Sequence, residues 1–285
     1  MIFSGIVLGF IVTQLGLASH RDVSEHEFIV ITAASFLLVP AGLFFHLQVF
    51  PINTPMWSLF FEIIANVAYA FEKKLLRSLA VVSIAILAAG AAALTYIIHK
   101  SGTVESVGFT DVASFLWGFV RVLYPFLAGV LIYRYSLFTK YALRFALVPL
   151  ALLLAILLVP YWQPSWIFDA AAILVAFPLI VIFGAGVPNA TPLRKLWDVL
   201  GRLSYPFYII HQPTLRATNQ VFKHLPRLGV HPMIFSAVGI VAAGVLAYLL
   251  LLAYDQPVRR WLTGMVARRL NDVAVSAAGI PGNSN

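Results

Sequence analysis

Three ionisable side chains stand inside long apolar runs of this sequence, each with polar companions at helical spacing. The first is Glu62, in PMWSLFFEIIANVAYAF over residues 55–71. At 100° per residue, Ser58, Glu62, Asn66 and Tyr69 fall within about a quarter of one helix circumference, while Leu59, Phe60, Phe61, Ile63, Ile64 and Val67 fill much of the rest. This spacing predicts a polar seam turned toward the interior of a helix bundle. The second is Arg121, in SFLWGFVRVLYPFLAGVLIYR, which shares a face with Ser114, Gly118 and Pro125. Small residues on that face admit close approach by another helix. The third is His211, in LGRLSYPFYIIHQP, aligned with Ser204 and Tyr208.

These residue types suit proton transfer and charge stabilisation. A carboxylate or imidazole can take a hydroxyl proton, and a guanidinium can stabilise a developing oxyanion. A charge at the centre of a membrane helix costs roughly 3 kcal/mol on insertion scales, so such residues mark sites or pathways more often than chance. A packing role remains open for each. Glu62 and Arg121 are expected to pair, which would lower the cost of burying both, and His211 could cap carbonyls freed by Pro213. The other histidines lie in loops or at helix ends. SHRDVSEHE reads as a solvated turn, and no metal site is expected. Asp169 reads as an interfacial residue, and Trp162 and Trp166 as interface anchors.

The elements that would carry these residues are membrane helices. The chain has 285 residues, 61% hydrophobic and 11% charged, with a mean hydropathy of +0.92. Apolar runs recur along its length, which predicts an all-α polytopic bundle with about nine segments, near 1–17, 28–46, 57–71, 78–98, 112–133, 143–160, 166–185, 203–222 and 233–254. Segment 203–222 contains Pro206, Pro213 and Arg216, so a kink or break is expected there. Loops after odd-numbered segments hold most of the 19 Lys and Arg, which favours a cytoplasmic C-terminus. The charge of +8 therefore reflects membrane topology, and nucleic acid is not an expected partner. The sequence has no cysteine, which excludes disulfides and thiol chemistry. It also lacks a G-x-S-x-G elbow, a P-loop, an H-x4-D motif and a recognisable signal peptide. Residues 1–262 are expected to form the membrane domain and 263–285 a disordered cytoplasmic tail.

Four stretches, in order, resemble the acyltransferase family 3 membrane proteins. MWSLFFEIIANVAYA is similar to a W-S-L-x-x-E signature, through Trp57, Ser58, Leu59 and Glu62, followed by Asn66 and Tyr69. RVLYPFLAGVLIY resembles an R-x4-F-x2-G helix, through Arg121, Phe126 and Gly129. LGRLSYPFYIIHQP is similar to the family's S-Y-x-x-Y-L-x-H-x-P segment, through Ser204, Tyr205, Tyr208, His211 and Pro213. AYDQPVRRWL looks like the E-x-P ending, with Gln256 in place of Glu.

The resemblance implies a multi-pass O-acyltransferase of the inner (plasma) membrane, surrounded by membrane lipid. Its donor would be acyl-CoA, in particular acetyl-CoA, with no bound cofactor. Its acceptor would be a hydroxyl of a glycan or lipid-linked sugar. Glu62, Arg121 and His211 then become the catalytic candidates, with Trp57, Ser58, Asn66, Tyr69, Ser204 and Tyr208 lining the substrate path. The family's N-terminal helix with a catalytic His and its arginine-rich loop have no counterpart here, so the resemblance predicts an N-terminally truncated member. Two other readings stay open: an inactive acyltransferase-like protein, or a proton-coupled transporter or flippase gated by Glu62 and Arg121.

Overall fold

The computed structural model describes residues 1–15, 23–78, 80–105, 107–138, 147–160, 162, 164–186, 194–223 and 232–277. Among these the secondary structure is helical, with no strand. The chain divides into two compact units, Arg21–Trp197 and Met1–His20 with Asp198–Asn285.

In the unit Arg21–Trp197, α2 (Glu25–Phe36) starts at a reciprocal cap. The Ser24 hydroxyl accepts from the Glu27 N–H, and the Glu27 carboxylate accepts from the Ser24 N–H at 2.8 Å. This closes two of the donors that a helix start leaves open. The expected span over 28–46 does not form. The helix ends at Phe36, and Pro40 precedes a short 3-10 turn, Ala41–Phe45. At Gly42 an added Cβ would lie 1.9 Å from the Gln48 carbonyl oxygen, so only glycine admits this fold of the chain. The irregular stretch that follows is packed into protein: Val49, Phe50, Ile52, Asn53 and Met56 are all at most 1% exposed. The Val49 N–H donates to the Phe109 carbonyl at 3.0 Å.

The core of this unit is made by α3 (Met56–Ser78), α4 (Ala80–Ser101) and α5 (Val112–Arg134). Phe61 is fully buried, and an added Cβ on Gly118 of α5 would meet its ring at 2.3 Å. Phe60, Phe115 and Phe119 complete an aromatic cluster around it, with ring centroids 4.9–5.7 Å apart. Leu94, Ile98, Tyr124 and Ala128 form a second buried cluster, on which Trp166 packs. Asp111 caps α5, accepting from the Ser114 N–H at 2.9 Å.

Beyond α6 (Val148–Leu157), α7 (Trp166–Ala171) runs into a π turn, Ala172–Ala176, and then α8 (Phe177–Ala185). Pro178 lacks the N–H that would bond the Leu174 carbonyl four residues back. The Tyr124 hydroxyl donates to that carbonyl instead, at 2.6 Å.

The second unit holds α1 (Ile2–Gln14), most of α9 (Arg194–Lys223), α10 (Pro232–Leu250), a second π turn at Leu251–Asp255, and α11 (Gln256–Ala277). Pro257 follows this π turn at the same interval as Pro178 follows the first. Of the kink or break expected over 203–222, no break forms: α9 runs through Pro206 and Pro213 as one helix. Gly239 of α10 lies against Leu215 of α9, where an added Cβ would come within 2.7 Å of Cδ2.

Among the described residues, four helices are long and apolar enough to cross a membrane: Val81–Ser101, Val112–Arg134, Trp166–Ala185 and Met233–Arg268. Ile2–Gln14, Met56–Phe71 and Val148–Leu157 are shorter apolar helices. The expected nine spans are therefore not reproduced as nine long helices. Proline and glycine divide the second, and Arg194, Lys195, Asp198, Arg202 and Arg216 make α9 amphipathic. Residues 263–277, expected to be disordered, continue α11, and 278–285 lie outside the described residues. The expected loop around Lys140 and Arg144, and His20 with Arg21, also lie outside them.

Candidate functional site

Arg121 sits in the first half of α5, where the loop before that helix folds back over it. Its Nη1 donates to the carbonyls of Val104, at 3.1 Å, and Val107. The guanidinium carbon lies 4.7 Å from the centre of the Trp57 ring. That ring is stacked on Phe109 at 5.5 Å and meets Phe61 edge-on at 6.0 Å. Gly108 makes the fit possible. Its φ of +118° is costly for a side-chain-bearing residue, and an added Cβ would meet the Trp57 ring at 2.7 Å. The Ser114 hydroxyl accepts from the Gly108 N–H at 2.7 Å, which ties the turn to α5. A cation over an indole face gains about 0.5–2 kcal/mol, more as water is removed. The arrangement fixes one positive charge among carbonyl dipoles and aromatic faces, as stabilisation of an oxyanion or a phosphate requires.

Glu62 is placed differently from the expectation. The seam Glu62, Asn66 and Tyr69 is exposed among the described residues, whereas Leu59 and Phe61 are buried. The small-residue face of α5 receives the Phe61 ring, so the opposite side of α3 turns inward and the seam turns out. The Glu62 carboxylate has no hydrogen bond or ion pair among the described residues, and the expected pair with Arg121 is not formed. Asn66 Nδ2 donates to the Glu62 backbone carbonyl at 2.9 Å, and Ser58 Oγ to the Pro55 carbonyl at 3.1 Å. Tyr69 lies edge-on to Phe126 at 6.1 Å. It also lines an apolar cleft of about 530 Å³ between α3, α4 and α5, with Ala68, Ile86, Phe119 and Leu123.

Ser204, Tyr208 and His211 belong to the other unit, on α9. The Ser204 hydroxyl donates to the Gly201 carbonyl at 2.9 Å. His211 Nδ1 lies 2.7 Å from the Tyr208 carbonyl oxygen. A carbonyl only accepts, so Nδ1 carries the hydrogen and Nε2 of the neutral ring is left as an acceptor. The imidazole stacks on Phe207, with centroids 5.9 Å apart and an interplanar angle of 11°. Asp255, at the end of the second π turn and beside Gln256, is buried and paired with Arg259 at 2.8 Å.

The structure thus brings Trp57 and Arg121 together, each from a separate motif, and adds partners that motif reading missed. These are the Val104 and Val107 carbonyls, Gly108, Phe109 and Asp169. For those between 104 and 109 the only trace in the sequence is the cluster of turn-forming and polar residues in SGTVESVGFTD, while Asp169 reads from sequence only as an interfacial residue. Asp169 is not simply interfacial, because its Oδ2 accepts hydrogen bonds from three donors. Among the described residues no group of three or more His, Asp or Glu is arranged to hold a metal ion.

No curated protein and no solved structure matches the chain. A family model described as an acyltransferase domain matches residues 2–252, which span both units and include every candidate above. The chain therefore belongs to acyltransferase family 3.

Proposed function

We propose that this chain is an integral-membrane O-acyltransferase that moves an acyl group, in particular acetyl, from acyl-CoA to a hydroxyl of a carbohydrate or cell-envelope glycan. The observation that carries this reading is the guanidinium of Arg121, held by two carbonyls and an indole ring within an acyltransferase-family domain. In the reaction the acceptor oxygen attacks the thioester carbonyl carbon and its proton passes to a base. The C–S bond then breaks, and the CoA thiolate leaves and takes up a proton. The role assigned to Arg121 is to stabilise the oxyanion of the tetrahedral intermediate or to hold a CoA phosphate. His211 offers an Nε2 lone pair suited to a base. Glu62 is assigned the balancing of positive charge as the proton moves. Trp57, Ser58, Asn66, Tyr69, Ser204 and Tyr208 are assigned to the substrate path. The inner membrane and a cytoplasmic C-terminus belong to the same reading.

Inverted membrane vesicles carrying the chain, given radiolabelled acetyl-CoA, provide the test. Alkali-labile label should accumulate in the endogenous glycan fraction and should fall by about 10²–10³ in Arg121→Ala, the loss typical of removing an oxyanion donor. Label that is independent of the chain would end the proposal. Proton-driven solute uptake without acyl-CoA would favour a carrier instead.

A further inference from the structure

Three donors converge on one carboxylate oxygen, Asp169 Oδ2: the Thr103 hydroxyl at 3.0 Å, the Val104 N–H at 2.9 Å and the Ser165 hydroxyl at 3.1 Å. Thr103 and Ser165 are buried, at 7% and 5% exposure. The Ser165 N–H also donates to the Gly102 carbonyl at 3.0 Å, so the start of α7 grips the loop at two successive residues. Val104 is the link. Its N–H points to Asp169 and its carbonyl accepts from Arg121 Nη1. The two groups belong to adjoining peptide units, so the carboxylate and the guanidinium anchor one residue from its two sides. An acid in the first turn of a helix favours the helix dipole, and that alone would account for Asp169 in α7. It would not account for an oxygen committed to donors about 65 residues earlier in the chain.

We infer that Asp169 is the positioning residue for Arg121. By holding Gly102, Thr103 and Val104 against the start of α7 it aims the Val104 carbonyl at the guanidinium, beside that of Val107, and so sets where the charge lies over Trp57. Glu62, the acid expected from sequence to answer Arg121, does not serve it; an acid on α7 does so through one intervening residue. The consequence for turnover rests on the reading that Arg121 acts in acyl transfer.

The test is a double-mutant cycle on the full chain, using Asp169→Ala, Arg121→Met and the double variant, with Asp169→Asn alongside. Each is assayed for transfer from acetyl-CoA in vesicles and for thermal unfolding in detergent. Asp169→Ala should lower the apparent kcat by up to about 10²-fold, the scale on which a small misplacement of a catalytic group costs rate, with little change in the KM for acetyl-CoA. It should cause no further loss in the Arg121→Met background. Asp169→Asn keeps an oxygen for the Val104 N–H and should return to within a few-fold of wild type. If Asp169→Ala does not accumulate, Thr103→Val, which removes one donor and keeps the shape, should show a smaller loss of the same kind. Equal losses from Asp169→Ala with and without Arg121 would overturn the inference. If Arg121→Met leaves transfer intact, the catalytic reading of Arg121 fails. The positioning claim is then judged by unfolding alone, where non-additive losses uphold it and additive losses overturn it.

Discussion

An ammonium can donate to two carbonyls but has no extended planar face to lay over the Trp57 indole at the same time, so it does not reproduce the Arg121 guanidinium. Arg121→Lys should therefore lose most of the transfer activity, on the order of 10-fold or more and short of the full loss in Arg121→Ala, although it keeps the charge; vesicle assays with labelled acetyl-CoA would show it. At Asp111 the expectation concerns stability. The Ser114 N–H, and then the Thr110 hydroxyl, hold its carboxyl below its ordinary value. Its contribution is present above the unfolded value near pH ~3.9 and is lost as pH falls through the lower folded value. Asp111→Ala should cost about 0.5–2 kcal/mol at neutral pH. The difference in thermal midpoint from wild type should narrow as the pH falls through that lowered folded value. At this scale the sequence revealed the alignment of Glu62, Asn66 and Tyr69, because angular position along a helix is a local property. It did not reveal which way the seam faces, since that follows from the fit of Phe61 against Gly118, more than fifty positions away.

Between elements, the α3–α5 contact leaves no room at Gly118. Gly118→Leu should destabilise by at least 1–3 kcal/mol, the usual cost of overpacking, read as a lowered midpoint in detergent. The first π turn predicts a coupled pair of effects. Tyr124→Phe removes the donor to the Leu174 carbonyl and should cost about 0.6–1.7 kcal/mol, as for hydrogen bonds between membrane helices. Pro178→Ala restores an N–H within the helix itself, so Tyr124→Phe should cost much less in that background. Equal costs in both backgrounds would contradict the role given to Pro178. The first π turn could have been anticipated from Pro178, set inside an apolar run; Pro257 stands among polar residues, where a proline reads as an ordinary helix edge. The packed irregular stretch after Pro40 could not, because hydropathy reports burial without saying whether lipid or protein does the burying.

For the molecule as a whole, composition made the all-helical, membrane-like character legible, since few soluble folds tolerate 61% hydrophobic residues. The number of spans was not legible, as apolar stretches also form the short helices Ile2–Gln14 and Val148–Leu157. Orientation can be measured directly. A fluorescent protein fused after Asn285 should mature and fluoresce, and an alkaline phosphatase fused at the same place should stay inactive, if the basic loops lie in the cytoplasm. The reverse pattern would invert the proposed topology and remove acyl-CoA from the side assigned to it. The bond from Tyr124 to Leu174 bears on synthesis as well. The donor lies 50 residues ahead of the carbonyl it serves, so it leaves the ribosome first and is in place when Leu174 follows. A permuted chain that delivered α7 and α8 before α5 would leave that carbonyl without the Tyr124 hydroxyl until α5 followed. The order of helices along the chain is thus one of the means by which its backbone stays satisfied.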